Sequence, residues 1–463
     1  MQKLKTDVLL RCLKLVNVLL ITVPFAVSWM LFYQNKMYSN PFYEKGNWII
    51  IALFAMVYFL FGRLYDAFLV SVNQTGEIVY SQALAAFMSD CILLVAICLL
   101  LRRLPNVLPM LAVFCVQILL SLLWTVMARR WYFHVHPPKR TVLIYDMRQG
   151  MDELISKYGL SKKFEVVATC SVDVCISGGM EIFRSNQAEV AYLCGVHSHN
   201  RNIILKYCVQ NDITVYMLPR IGDVIMSGAR RTHMFHLPML RVDRYSPAPE
   251  YLLIKRVFDI LVAGVAIVVL SPIMLITALA IRRDGGPALY KQTRLTIDGK
   301  EFKVWKFRSM RVDAEKDGVA RLSTGEADDR ITPVGKVIRK VRIDELPQLF
   351  NILGGSMSIV GPRPERPEIA REYEKELPEF SLRLQAKAGL TGLAQVYGKY
   401  NTTPYDKLQM DLMYIANPSI IQDVAIMFAT VKILFQTEST EGVAEGQITA
   451  AQNTSEDSAE MER

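Results

Sequence analysis

Paired cysteines are missing from this chain. Its eight cysteines are scattered, Cys12, Cys91, Cys98 and Cys115 in or beside apolar runs and Cys170, Cys175, Cys194 and Cys208 in the next segment, with no Cys-x-x-Cys spacing. Neither a zinc site nor a disulfide framework is indicated. Charge is nearly absent from long stretches of the first 130 residues, and mean hydropathy over the 463 residues is +0.22, which excludes a purely soluble protein. Glycine is scarce where a dinucleotide would need it. The turn after the first predicted strand reads Asp146-Met147-Arg148-Gln149-Gly150, one glycine where a pyrophosphate-binding turn places several. The formal charge of +9 lies beside apolar segments and in arginine-rich motifs, so an anionic membrane face accounts for it and no nucleic acid is expected as a partner.

What is present instead is membrane helix. Four transmembrane spans are predicted, Leu10 to Tyr33, Trp48 to Phe68, Gln82 to Leu101 and Val107 to Ala128, each near the roughly 20 residues that a bilayer core requires. The first has no small-residue cleavage site and is expected to stay in the mature protein. Lys3, Lys5, Arg11 and Lys14 precede the first span and Arg129, Arg130, Lys139 and Arg140 follow the fourth, which places both ends in the cytoplasm. Arg102 and Arg103 fall on the opposite side and run against that rule. Asp90, inside the third span, is expected to pair with Arg63.

Residues 139–244 alternate strand and helix. Strands are predicted at Thr141 to Tyr145, Glu165 to Thr169, Val190 to Leu193 and Thr214 to Leu218, with helices at Gly150 to Tyr158 and Asn202 to Asn211. This alternation argues for a parallel, Rossmann-like α/β domain. Without the glycine fingerprint it reads as degenerate: a scaffold, a dimerisation surface or a vestigial ligand site. Tyr245 to Glu250, with Pro247 and Pro249, is the expected linker.

A second apolar segment comes at Val257 to Ile281, flanked by Lys255 and Arg256 before and by Arg282 and Arg283 after. A full crossing would put the second basic pair on the disfavoured face; a segment that enters and returns keeps both pairs cytoplasmic. Ser271 and Pro272 lie at its midpoint, where proline can break the helix and the serine hydroxyl can satisfy a freed carbonyl. A re-entrant helix over 255–283 is therefore expected, with a break at Ser271-Pro272.

Downstream, Asp344 and Glu345 open the run DELPQLFNILGGSMSIVGPRPER, which ends on Arg363 and Arg366 and is preceded by Arg339, Lys340 and Arg342. A carboxylate among fixed cations stays ionised at neutral pH. The same cations can hold a diphosphate against it while charge builds on a transferring phosphoryl group. The pair reads as a nucleophile with a helper.

Six ordered motifs carry a resemblance: the basic apolar entry with Ser271-Pro272; Tyr290-Lys291-Gln292 with Arg294; Lys306-Phe307-Arg308-Ser309-Met310; Asp344-Glu345-Leu346-Pro347-Gln348; Gly361-Pro362-Arg363-Pro364; and Lys387-Ala388-Gly389-Leu390-Thr391-Gly392. From about Tyr251 to Phe435 the chain resembles the bacterial polyprenyl-phosphate glycosyl-1-phosphate transferases, the monotopic phosphoglycosyl transferases. Its N-terminal part is similar to the large subclass with a fused four-helix membrane bundle. The resemblance implies a membrane protein of α plus α/β class: a four-helix bundle over 1–130, the α/β domain, an α-rich monotopic catalytic domain over 251–436, and an acidic disordered tail over 437–463, with seven acids from Glu438.

It further implies that Asp344 attacks the β-phosphate of a UDP-sugar, releases UMP and holds the sugar phosphate for undecaprenyl phosphate. Glu345 assists as a proton acceptor or beside the metal, and a Mg2+ ion bound near Asp344 neutralises diphosphate charge. Arg339, Arg363, Lys306, Arg308 and Arg366 grip phosphates. The implied setting is the cytoplasmic face of the bacterial membrane, among lipids, in the first membrane step of surface-glycan assembly; a homodimer is compatible with the extra domains. Two departures stand out, Ser356 where the family usually has an acid and Thr296 where glycine is common. Together with the lost glycines they leave a non-catalytic scaffold as the alternative. The polar stretch Arg311 to Arg330 is expected as a mobile loop, and the apolar Ile420 to Phe435 as a helix packed under the site or lying in the interface.

Overall fold

Apolar helices dominate the first 135 residues: α1 Gln2–Ser28, α2 Glu44–Leu64, α3 Thr75–Leu101 and α4 Leu108–Val135. The structure, a computed structural model, describes residues 2–36, 44–146, 150–245, 247–283, 286–311, 330–398 and 402–434. The interior of the expected loop, 312–329, and the acidic tail lie outside them. The chain divides into two compact units, Met1–Leu218 and Pro219–Arg463.

In the first unit the helices are joined by aromatic and polar contacts. The rings of Phe25 and Phe54 stack with centroids 4.2 Å apart, Tyr58 Oη donates to Asn17 Oδ1 at 2.8 Å, and Trp29 Nε1 donates to Asn47 Oδ1 at 3.0 Å. Among the described residues Asp90 does not make the expected ion pair. Its carboxylate is buried without a hydrogen-bond partner, whereas Arg63 is exposed in the last turn of α2, at the end of the bundle. The two lie at different depths.

Four parallel strands come next, β1 Lys139–Tyr145, β2 Phe164–Ser171, β3 Val190–Cys194 and β4 Thr214–Met217, in the order β2-β1-β3-β4. Helices α5 Met151–Lys157, α6 Val172–Ser177, α7 Glu181–Ser185 and α8 Ser198–Gln210 connect them. Side chains alternate across β1, so Val142 and Ile144 join Ile204 and Cys208 on one face while Leu143 joins Ile155 and Phe164 on the other, as a sheet covered on both faces requires. At the switch point between β1 and β3, Asp146 Oδ2 accepts the N–H of His197, just before α8, at 3.4 Å. A carboxylate thus sits where a doubly wound sheet would present backbone donors to a phosphate.

The second unit begins with α9 Ile221–Ser227 and the hairpin β5 Arg230–Met234 and β6 Leu237–Arg241. These elements fold as part of this unit, although the alternation pattern assigns them to the α/β domain. Next come α10 Pro249–Arg282, the antiparallel pair β7 Leu289–Leu295 and β8 Glu301–Phe307, α11 Pro333–Lys340, a 3-10 turn Ile343–Glu345, α12 Gln348–Leu353 and β9 Ser358–Val360. The rest is α13 Pro367–Glu376, a 3-10 stretch Pro378–Gln385, β10 Gly389–Thr391 paired parallel to β9, α14 Leu393–Tyr397, α15 Pro404–Ala416 and α16 Ile420–Leu434. Its core gathers Val304, Ile352, Met357, Phe380, Leu408 and Leu412.

Among the described residues five helices are long and apolar enough to cross a membrane: the four of the first unit and α10. In α10 the residues predict a break, yet the backbone stays helical from Pro249 to Arg282. Pro272 has no N–H to give the Val268 carbonyl, and Ser271 Oγ donates to that same carbonyl at 2.8 Å, which keeps the turn satisfied. Both ends of α10 are tied to the second unit. Near its start, Tyr251 Oη and Lys255 Nζ donate to Asp423 Oδ2 at 3.0 and 2.9 Å, Arg256 donates to the Ile352 and Leu353 carbonyls at 2.7 and 2.8 Å, and Asp259 Oδ1 accepts the Ile359 N–H at 3.0 Å. Near its end, Ile281 packs with Phe307 and Ile338, and Arg308 Nη2 donates to the Ile281 carbonyl at 3.3 Å. Between these anchors Val265, Val268, Val269, Leu275 and Ile276 are exposed.

Asp423, on α16, is 3% exposed and also accepts from Tyr414 Oη at 2.8 Å. Asp423→Ala strips Lys255 and two tyrosines of their acceptor, so it should destabilise the unit by about 3–5 kcal/mol. Thermal unfolding of the purified protein measures this directly.

Candidate active site

Glycine makes the approach to the site possible. A Cβ on Gly361 would run into the Lys387 carbonyl, and one on Gly389 into the Gly361 backbone. Two glycines are therefore needed for the strands to close at the point where β9 hands over to Pro362 and Arg363. On the other side, α11 ends at Lys340 and Arg342 adopts a left-handed backbone, φ 54° and ψ 24°, a conformation that costs an L-residue about 1–2 kcal/mol. Its N–H donates to the Arg339 carbonyl at 3.1 Å and its carbonyl accepts from the Glu345 N–H at 3.3 Å. This strained reversal, invisible in residue types alone, turns the chain into the Ile343–Glu345 turn.

The two adjacent acids have different surroundings. Glu345 Oε1 accepts from Lys306 Nζ on β8 at 3.2 Å and from Arg363 Nη2 at 2.9 Å. Burial works against its charge, but Arg363, Lys306 and Arg342 outweigh burial and hold the carboxyl far below the ordinary range. Held in this way, Glu345 stays ionised beside its two cations. Among the described residues, no hydrogen bond or close ion pair engages the Asp344 carboxylate. Burial and the Glu345 charge push Asp344 up to about 6, against the pull of Lys306, Arg339 and Arg363. It is ionised at pH 7 and above, with its oxygens uncommitted.

The other expected site residues divide. Arg339 stands in the last turn of α11 close enough for its charge to act on Asp344, and Arg342 acts on both acids. Arg366 precedes α13, with Nε 3.7 Å from Glu368 Oε2. Arg308 is not placed as a phosphate ligand. Buried to 8% exposure, it donates to the carbonyls of Pro287 at 2.8 Å, Met310 at 3.4 Å and Ile281 at 3.3 Å, because the chain ends converging there leave carbonyls that no strand satisfies. Ser271 and Pro272 lie in α10, where Ser271 Oγ donates to the Val268 carbonyl. Ser356 Oγ donates to the Asn351 carbonyl at 3.1 Å, and the Ser356 carbonyl accepts from Thr296 Oγ1 at 3.2 Å. The two departures from the family pattern thus touch each other in a structural link.

A further charged group, in which residue pattern picks out Arg294 and not Arg383, Lys407 or Asp411, collects beside Arg363: Arg294, Glu365, Arg383, Lys407 and Asp411. One signal for it exists. Asp411 falls on the buried face of α15 at the spacing of Leu408, Leu412 and Ile415, where a charge is costly unless paired.

Groups of three or more metal-binding side chains are not found among the described residues. Asp344, with free oxygens, nevertheless fits an ion of the Mg2+ type, which is commonly held by one or two carboxylates and completed by substrate phosphates.

Residues 250–437 match the family model for bacterial sugar transferases. A UDP-N-acetylgalactosamine-undecaprenyl-phosphate N-acetylgalactosaminephosphotransferase of Aeromonas hydrophila is 38% identical over 234 residues, 50% of this chain and 54% of the relative. A UDP-glucose:undecaprenyl-phosphate glucose-1-phosphate transferase of Klebsiella pneumoniae is 42% identical over 183 residues, 38% and 39% of the two chains. A protein of the same description from Caulobacter vibrioides is 40% identical over 191 residues, 40% of this chain and 71% of the relative. The chain spans 54%, 39% and 71% of the length of these three relatives, and the residues that match the family model lie in the second unit.

Proposed function

The chain belongs to the bacterial sugar transferase family, and on that premise we propose that it moves a sugar 1-phosphate from a UDP-sugar to undecaprenyl phosphate. The observation that carries this reading is the inequality of the acids: Glu345 is pinned by two cations while Asp344 is ionised and uncommitted. In the first step an Asp344 oxygen attacks the β-phosphorus, the bond from that phosphorus to the bridging oxygen breaks, and UMP leaves with the bridging oxygen. The protein then carries an aspartyl phosphosugar. An oxygen of undecaprenyl phosphate attacks the same phosphorus, the acyl phosphate bond breaks, and Asp344 is regenerated. Lys306, Arg339, Arg342 and Arg363, four cations against two carboxylates, leave a positive excess suited to a diphosphate. Arginine serves here because its planar fork binds two oxygens at once and stays charged. Mg2+ bound at Asp344 would neutralise diphosphate charge.

A membrane setting supplies the meeting of donor and acceptor. Straight, α10 would be about 50 Å long, yet both of its ends are fastened to one unit while its middle exposes valine and isoleucine. We read α10 as bent at Pro272 and not broken there, so that it enters the bilayer and comes back, holding Asp344 at the cytoplasmic headgroups, with α1 to α4 as four spans.

Purified full-length protein should release UMP from at least one UDP-sugar when undecaprenyl phosphate is present. Its kcat/KM should rise as pH rises through about 6, where Asp344 of the free enzyme loses its proton. The sign for stability is opposite. The folded carboxyl holds its proton more tightly than the unfolded one, so its ionisation destabilises the fold, a cost that is absent at low pH and fully present above about 6. Absence of UMP release across a panel of UDP-sugars would leave a membrane scaffold as the function.

A further inference from the structure

Arg363 reaches Glu345 from a turn that has little backbone to anchor it, since Pro362 and Pro364 on either side lack an N–H. Every carbonyl of that turn is nonetheless held. Arg383 Nη2 donates to the Arg363 carbonyl at 2.9 Å, Arg294 Nη1 to the Pro364 carbonyl at 3.1 Å, and the Leu295 N–H to the Glu365 carbonyl at 3.0 Å.

Arg383 is the best fixed of these donors. Its Nε donates to Asp411 Oδ2 at 2.8 Å, its Nη2 lies 2.6 Å from the same oxygen, and its Nη1 lies 3.6 Å from Glu365 Oε1. The guanidinium carbon stands 4.9 Å from the centre of the Phe380 ring, which is itself buried. Arg383 is 3% exposed and Asp411 is 1% exposed, too deep for either to meet a substrate. Apolar residues of similar volume would often stabilise such a core as well or better. What the charged pair adds is direction: one planar group spans Asp411 on α15 and the carbonyl of the residue that holds Glu345.

Resting on the reaction proposed above, we propose that Arg383, oriented by Asp411, is a positioning residue that aims Arg363 at Glu345 and the substrate diphosphate. It acts through the Arg363 backbone and not on the phosphates.

Arg383→Lys keeps the charge and can keep Asp411, but a single ammonium on a flexible stem cannot reproduce the fork and the ring contact. The kcat for UMP release should fall about 10- to 100-fold, with UDP bound more weakly in the same variant. In an Arg363→Ala background the same change should give no further loss, because no side chain remains to be aimed. Wild-type kcat in Arg383→Lys, or an equal fold-loss in both backgrounds, would overturn the proposal. Should Arg383→Lys fail to fold, Asp411→Asn, nearly identical in shape, takes its place in the cycle. If the wild type turns over no UDP-sugar, the reaction is wrong, and the same cycle is read as UDP affinity by calorimetry. A loss confined to proteins retaining Arg363 supports the positioning role; equal losses, or no UDP binding, refute it.

Discussion

Asp344→Asn is expected to abolish UMP release, by on the order of 10³-fold or more, in a protein that otherwise folds and associates with membranes as before. The substitution keeps shape and removes a charge that burial already disfavours, so folding should be unharmed. The Lys306 and Arg363 contacts are made by Glu345 and stay in place. What disappears is the carboxylate of the pair that, among the described residues, no cation holds within hydrogen-bond or ion-pair reach. With a radiolabelled sugar on the donor and no lipid acceptor, label should remain covalently on the wild-type protein and be absent from the variant. Turnover within tenfold of wild type would mean that another residue is the nucleophile.

Arg363→Ala should cost about 10²- to 10³-fold in kcat/KM, the range for losing one donor aimed at developing charge. Two effects combine. The positive excess around the diphosphate falls, and Glu345 keeps only Lys306 as a partner within hydrogen-bond reach. Arg363→Lys should recover part of the activity, since a point charge replaces the charge and not the planar fork. Steady-state kinetics on the two variants decide it: Arg363→Ala within about twofold of wild type would mark the residue as a structural partner of Glu345 alone.

Local signals made much of the fold legible. Alternation placed β1 to β4 within two residues at each end; β1 and β3, buried on both faces, are read from their own apolar runs. Helix starts were less visible. The span predicted from Gln82 belongs to a helix that begins at Thr75, where Glu77 Oε2 accepts the Gln74 N–H at 3.1 Å; a polar capping turn carries no hydropathy. The site was legible in composition and not in pairing. Asp344 and Glu345 share a neighbourhood in sequence, and only folding brings Lys306, 39 residues away, and Arg363, 18 residues away, to Glu345 alone. Arg308 has the same residue type as the phosphate candidates, yet its partners are carbonyls from three separate segments. Nor could Asp90 be read from charge, because Arg63 belongs to a different level of the bundle.

A single oxygen of Glu345 serves both Lys306 and Arg363. In the proposed reaction that oxygen would stand in for phosphate before any donor arrives, holding the two cations together, and would have to be competed with afterwards. An incoming diphosphate therefore gains less than it would from bare cations, and the departing nucleotide is let go more readily. On the proposed reaction the pinned acid would temper affinity in favour of turnover, a brake against product clinging to a pocket of like-charged neighbours.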